Sequence, residues 1–317
     1  MTLPSDLEKT TTVCIGRYLV DLPEVFVPTE ASYAQLYYGL DKNFRTVDVS
    51  APALVGEQAA FDAVVARRVQ DLTSSFHSSS ASKNMLAADR RLDDGSRLLR
   101  AYASGDSTST FKSELYTRKG AATALFARTV YEHENGDSVE ARLVKIAQAT
   151  SPIVRATPPG RGTCVGPLLV DASQDAEILH PSFHSPQYPD VSIAVDMNSA
   201  IAKGDGGLFA RVRAKADMVA QLVGQSHTLR RDNTSIAGRP AEELLEAGKD
   251  HGKIVRGFNA ETVLSAPSTI ALPQIAIDMT MGGQVGDDYR DASLSDAQAL
   301  LLWDAIVKSI RPRPGAL

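Results

Sequence analysis

Two stretches of the chain carry a serine after Gly-Asp: Gly105-Asp106-Ser107-Thr108 and Gly136-Asp137-Ser138-Val139. One class of esterases surrounds its nucleophile in that way, and the hydroxyl then needs a base and an orienting carboxylate close in space. Asp-Ser after Gly is also ordinary turn and N-cap chemistry. The first stretch lies in a Ser/Thr-rich turn and the second opens a helix, so both read as turn or cap; a serine esterase on Ser107 or Ser138 is the lesser alternative. No Gly-x-Ser-x-Gly elbow occurs. His180 and His184 have the i, i+4 spacing that would place two imidazoles on one helix face for zinc. Pro181 and Pro186 make that segment a loop instead, and no third ligand accompanies the pair. Gly160-x-Gly162-x-x-x-Gly166 precedes a strand, whereas a dinucleotide fingerprint follows one. Lys203-Gly204-Asp205-Gly206-Gly207 lacks the Gly-Lys-Ser/Thr of a P-loop. The acidic run Gly286-Asp287-Asp288-Tyr289-Arg290-Asp291 does not follow the calcium-loop pattern and reads as a solvated loop. No metal, cofactor or catalytic set is expected.

What remains is a repeat. Cys14-Ile15-Gly16-Arg17-Tyr18-Leu19-Val20-Asp21 returns 150 residues later as Cys164-Val165-Gly166-Pro167-Leu168-Leu169-Val170-Asp171, and the two copies hold the only cysteines. So long an offset implies two related domains, not a solenoid. The thiols are either two buried groups or one bridge between the halves. Buried thiols are the favoured reading, because equivalent positions of two repeats meet only near a symmetry axis. The glycine reads as structural, permitting a bulge or a close strand contact. Arg17 is replaced by Pro167 in the second copy, so it has no shared role.

The surrounding pattern is the same in both halves. A strand over residues 11–22 carries the motif, with short strands at 34–38 and 45–49 and an amphipathic helix at 56–74. A meander follows: 84–92 and 97–103 around Asp94-Gly95, then 110–117 and 122–132 around Lys119-Gly120. Val139, Leu143, Ile146 and Thr150 trace a second helix, capped by Asp137 or Ser138. Pro158-Pro159-Gly160 centres a linker over 152–162. The second half gives a strand at 190–196, a helix at 208–223 and strands at 227–231, 234–245, 254–264 and 274–281. Its last helix opens with the capping box Ser295-x-x-Gln298 and buries Leu302, Trp303, Ile306 and Ile310. The expectation is an α+β protein of two tandem related domains, 1–155 and 156–317, each an antiparallel sheet with two helices.

Composition narrows the partners. The chain has 317 residues, 33 Lys+Arg against 38 Asp+Glu and a formal net charge of −5. Neither half carries the basic surplus that nucleic-acid binding needs. No window reaches the roughly 18 uninterrupted apolar residues of a membrane span, so no direct membrane insertion is expected. Residues 1–8 have neither a basic n-region nor an apolar h-region, and no secretory signal is read in the chain as written.

The motif Cys14-Ile15-Gly16-Arg17-Tyr18-Leu19-Val20-Asp21-Leu22-Pro23 resembles the opening of immunity proteins that protect bacteria from type VI secretion phospholipase effectors. Three further segments match that family in order and spacing: residues 158–166, Ile236-Ala237-Gly238-Arg239-Pro240-Ala241-Glu242-Glu243, and the run from Leu302-Trp303-Asp304-Ala305-Ile306 to Arg313-Pro314-Gly315-Ala316. The resemblance implies a two-domain, pincer-shaped protein that grips its cognate lipase in the periplasm and blocks its active site by binding, without chemistry of its own. The given chain departs from the family in lacking an export signal. Partner contacts are expected on the loops 105–110, 203–207 and 286–291, through Asp106, Asp205, Asp287, Asp288 and Tyr289; the alternative for any one loop is a solvent-exposed turn. Another alternative is a cell-envelope adaptor with no lipase partner.

Overall fold

The computed structural model describes residues 2–29, 32–40, 45–54, 56–202, 206–214 and 226–317. The first half begins with a single helical turn, α1 (Ser5–Glu8), then β1 (Thr10–Ile15), β2 (Tyr18–Pro23), β3 (Val27–Pro28), β4 (Tyr33–Tyr37) and β5 (Thr46–Leu54). It continues with α2 (Gln58–Ser74), β6 (Leu86–Arg91), β7 (Arg97–Tyr102), β8 (Phe111–Lys119), β9 (Ala122–Val130), α3 (Gly136–Gln148) and β10 (Thr150–Pro152). The second half runs β11 (Thr163–Val165), β12 (Leu168–Val170), β13 (Ala176–His180), β14 (Ser182–His184), β15 (Val191–Asn198) and α4 (Gly207–Ala214). It closes with β16 (His227–Ile236), β17 (Arg239–Asp250), β18 (Lys253–Thr262), β19 (Gln274–Met281), β20 (Gly283–Val285), β21 (Asp288–Arg290), α5 (Asp296–Ser309) and β22 (Arg311–Pro312).

The repeated motif is a hairpin, not the single strand its alternation suggests. Ile15 stands opposite Tyr18 and Val165 opposite Leu168, leaving Gly16-Arg17 and Gly166-Pro167 as two-residue turns. Gly16 has φ +56 and Gly166 φ +54, the left-handed geometry that a tight hairpin demands at its first turn position and that only glycine adopts without strain. The cysteines hold equivalent registers, Cys14 opposite Leu19 and Cys164 opposite Leu169. Both are buried, but the expectation of two buried thiols is corrected: both are disulfide-bonded, and no cysteine is free. The surroundings of the two cysteines are not those of their own sequence halves: residues 1–32 pack with 176–317, and residues 162–175 with 33–154.

Packing divides the chain into two units, each discontinuous in sequence: residues 33–154 with 162–175, and 1–32 with 155–161 and 176–317. In the first of these the sheet order is β6-β7-β8-β9-β5-β4, and in the second β16-β17-β18-β19-β15-β13. These are one topology written twice: two strands, a helix, then a four-stranded antiparallel meander whose last strand pairs with the second of the two. The outer edges β6 and β16 carry Asp89, Arg90 and Arg91, and Arg230, Arg231 and Asp232, charges that discourage edge-to-edge pairing. The motif hairpins cross over. β1–β2 takes β22, the strand after α5, as its third strand, while β11–β12 takes β10, the strand after α3.

Cores follow the periodicities. Phe61, Val65 and Leu72 of α2 pack on Leu99, Ala101 and Tyr116, and burial pushes the Tyr116 phenol well above its ordinary range, with the Glu114 carboxylate adding to it. In the other unit Trp303 of α5 meets Phe258 edge-on, ring centroids 5.8 Å apart, and donates its indole N–H to Glu243 at 3.0 Å. Ser295 and Gln298 complete the reciprocal capping box. α3 is capped by Asn135, whose side chain accepts from the Ser138 amide at 3.1 Å; Asp137 and Ser138 already lie inside the helix. Residues 227–250 break at Ala237-Gly238, not at Asp232-Asn233. Both turn residues have positive φ, +52 and +73, as a type I′ turn requires. β14, and the end of β13 at His180, lie where a loop was expected. The second part of the expected 208–223 helix lies outside the described residues.

Candidate partner-binding surfaces

The loop bearing Asp106 and Ser107 is held by a buried histidine. His77 accepts the amides of Ser79 and Ser80 at Nδ1 (3.1 and 2.9 Å), which places its proton on Nε2. That N–H donates to the Ser107 carbonyl at 3.0 Å, and the ring lies 4.4 Å from that of Tyr102. Ser78 N–H donates to the Gly105 carbonyl (2.7 Å) and Ser79 Oγ to that of Asp106 (3.0 Å). The serine-rich stretch after α2 is therefore a mould that fixes the 105–110 loop and leaves Asp106 exposed. His77 also answers the esterase reading. Its Nε2 engages the Ser107 backbone, while the Ser107 hydroxyl faces Ser109 Oγ at 3.1 Å. That is a turn, not a nucleophile with its base.

Asp287, Asp288 and Tyr289 form the tip and returning strand of the β20–β21 hairpin, all exposed. Tyr289 lies against His251, ring centroids 4.1 Å apart. The Asp291 carboxylate anchors the base of the hairpin, accepting from the Ile254 amide at 2.8 Å and Lys253 Nζ at 3.4 Å, and the amide chiefly holds its pKa below the ordinary range. Asp205 lies outside the described residues. Asp106 and the Asp287–Tyr289 group belong to different units.

His180 and His184 sit on successive strands, and His180 Nδ1 pairs with Asp196. Nearby Asp278 has its pKa raised, first by burial and then by the Asp196 charge. Among the described residues no group of three or more His, Cys, Asp or Glu is placed to hold a metal, and no helix is long and apolar enough to cross a membrane. Arg17 is a buried structural cation: its Nε donates to Glu177 at 3.1 Å and its Nη1 to the Ala316 carbonyl.

One feature escapes the sequence. A cavity of about 380 Å³ opens where Arg45 and Arg128 meet the start of α3, and His133, Glu134, Asn135, Ser138, Val139 and Arg142 complete its lining. Arg128 is buried within β9; its Nη1 donates to the Thr46 carbonyl at 3.2 Å and its Nη2 pairs with Glu134. Arg142 lies over the Tyr38 ring, 5.0 Å from the centroid. The only hint in the sequence is a charged residue at a core-facing strand position, because the arginines come from three separate segments: the residue before β5, β9 and α3.

Fold and surfaces define a duplicated α+β protein whose two halves share one sheet order and present structured loops. Family models place it further: the Tle cognate immunity protein 4 N-terminal domain matches residues 11–155 and the corresponding C-terminal domain residues 156–315. The chain belongs to the Tle cognate immunity protein 4 family. Among solved structures it is similar to the apo form of TplEi, an immunity protein of the type VI secretion system from Pseudomonas aeruginosa. The two share 21% identity over 97% of this chain and 98% of that one, TM-score 0.69. It is also similar to a chain of the Tle4–Tli4 complex, at 21% identity over 98% and 100%, TM-score 0.70. TplEi bound to an "L" peptide gives 20% identity over the same shares, TM-score 0.65. At these identities the likeness is one of fold. No curated protein matches the sequence.

Proposed function

We propose that the protein neutralises a cognate type VI phospholipase effector by binding it and closing the path of lipid to its active site, with the two units as the jaws of a pincer. The observation that carries this is the pair of family-domain matches, which together span residues 11–315. On this reading the sequence halves 1–155 and 156–317 are the two duplicated domains. A stable inhibitory interface buries roughly 1,200–2,000 Å², and exposed loops on both units give it two sides. We assign contacts to Asp106, Asp287, Asp288 and Tyr289, with Asp205 a further candidate outside the described residues. The tied-up geometry of Ser107 and the capping geometry at Ser138 support action by binding, not turnover. Disulfide-bonded cysteines suit an oxidising compartment, which supports the periplasm as the site of action. The test is titration of the purified effector's phospholipase activity with this protein. Stoichiometric loss of activity is expected, and full activity in the presence of excess protein would defeat the reading. Charge reversal at Asp106, or at Asp287 and Asp288 together, should weaken inhibition; unchanged inhibition removes those positions from the interface.

A further inference from the structure

We propose that the cavity between Arg45, Arg128, His133 and Arg142 seats a carboxylate side chain of the bound effector, an inference that rests on the functional reading above. Four observations converge on it. Among the described residues three guanidinium groups line the cavity against a single carboxylate, Glu134, so that described lining has a formal charge of about +2 with His133 neutral. This basic cluster sits within a chain whose net charge is −5. The site lies at the start of α3, a thirteen-residue helix whose first amides and dipole favour an anion. Arg128 has a side chain only 7% exposed, and its Nε has no hydrogen-bond partner among the described residues, although the other two nitrogens are engaged. A buried donor left unmatched costs free energy until something accepts from it.

The chemistry favours a carboxylate. Planar guanidinium groups match it in a two-point fork. Glu134 offsets one of the three guanidinium charges, and the described lining stays net positive, at about +1, after one acidic side chain has entered. Arg45, His133 and Arg142 are exposed at the mouth, so an acidic side chain can enter from a partner surface. The acidic loops assigned above would meet basic ground on the effector; this cavity would meet the reverse, which fixes orientation as well as affinity.

The experiment measures affinity of the full-length protein for its purified effector by calorimetry. The variants are Arg45→Ala/Arg142→Ala, Arg128→Lys, and Arg155→Ala as an exposed control outside the cavity. The double variant should bind about tenfold or more weakly, with Arg155→Ala unchanged and all variants melting cooperatively. Arg128→Lys, which keeps the charge but loses the planar guanidinium, its Nε donor and its bonds to Thr46 and Glu134, should lose a smaller factor, a second reading of the cavity even if the double variant folds poorly. Unchanged affinity in both cavity variants overturns the proposal while leaving the immunity function intact. If affinity is unchanged but co-sedimentation with phosphatidylglycerol vesicles is lost, the anion is a lipid headgroup and the proposal is equally overturned. A wild-type protein that does not bind the effector defeats the functional reading itself, and this inference with it.

Discussion

The two copies of the Cys-x-Gly hairpin share a turn, a register and a disulfide-bonded cysteine, yet they are embedded differently. In the first copy Arg17 lies buried against Glu177 and the Ala316 carbonyl. Pro167 stands there in the second, where its carbonyl accepts from the Ile153 amide at 2.8 Å. A methyl on Gly16 would press on Leu179 Cδ1 and Met197 Sδ, both at 3.2 Å, whereas at Gly166 the nearest atom is the Ala51 Cβ at 4.0 Å. Asp21 is gripped by Arg311; Asp171 is exposed. The backbone was kept in both copies and the side-chain surroundings diverged. Duplication preserves what the turn requires and leaves the contacts free to drift.

The largest test of this asymmetry is charge removal. Arg17→Ala removes a buried cation that donates to Glu177, itself only 3% exposed as a side chain, and should lower unfolding free energy by about 3–5 kcal/mol. Pro167→Ala, at the equivalent position, should cost under about 1 kcal/mol. Urea denaturation of both reads the difference, and equal midpoints would refute the idea that the copies have diverged in energetic weight. Next come the glycines. Either Gly→Ala forces a left-handed alanine, at about 1 kcal/mol. Gly16→Ala adds the crowding against Leu179 and Met197, for about 2–3 kcal/mol in all, so its melting temperature should fall further than that of Gly166→Ala.

The terminal helices extend the comparison. α5 begins with a reciprocal box in which Ser295 and Gln298 each satisfy the other's amide, while α3 has the single Asn135 cap. Ser295→Ala and Asn135→Ala should each cost about 1 kcal/mol, and Gln298→Ala should add a measurable loss that no residue of α3 can mirror. Thermal melts of the three variants decide whether the box adds anything beyond a lone cap.

These contrasts mark how far the sequence can be read. Asp94-Gly95 and the Ser295 box are local signals with local causes, and both elements form as the residue types require. The motif hairpin was hidden because its turn is only two residues long, Gly16-Arg17, between apolar segments on both sides; only Gly16 betrays it. Ala237 at φ +52 is hidden more deeply, since alanine carries no turn signal. The crossing of the hairpins to β22 and β10 depends on pairings between distant segments, which no window of sequence contains. The arginine cavity is illegible for the same reason: Arg45, Arg128 and Arg142 become neighbours only after β9 and α3 are in place. The loops where effector contacts are assigned stood out by composition, but the mould that shapes one of them, His77, looked like one scattered histidine among six.

The smallest expected effect isolates the motif aspartates by pH. Arg311 donates to both oxygens of Asp21 at 2.9 Å, and Thr12 Oγ1 adds a third bond at 2.7 Å. These hydrogen bonds, Arg311 first, outweigh partial burial and hold the Asp21 carboxyl below its ordinary range. A carboxyl depressed in the folded state contributes stability in full above the unfolded pKa of about 3.9 and loses it as the pH falls through the lower folded value. Arg311 and Asp21 are 43% and 33% exposed, so solvent screening keeps the contribution below about 1 kcal/mol. Asp21→Asn should therefore be slightly less stable than the wild type at neutral pH and converge with it as the pH falls below the ordinary carboxylate range. Asp171→Asn, at an exposed side chain, should match the wild type in stability at neutral pH. Parallel curves for Asp21→Asn and the wild type at every pH would mean that the first motif's aspartate is as idle as the second's.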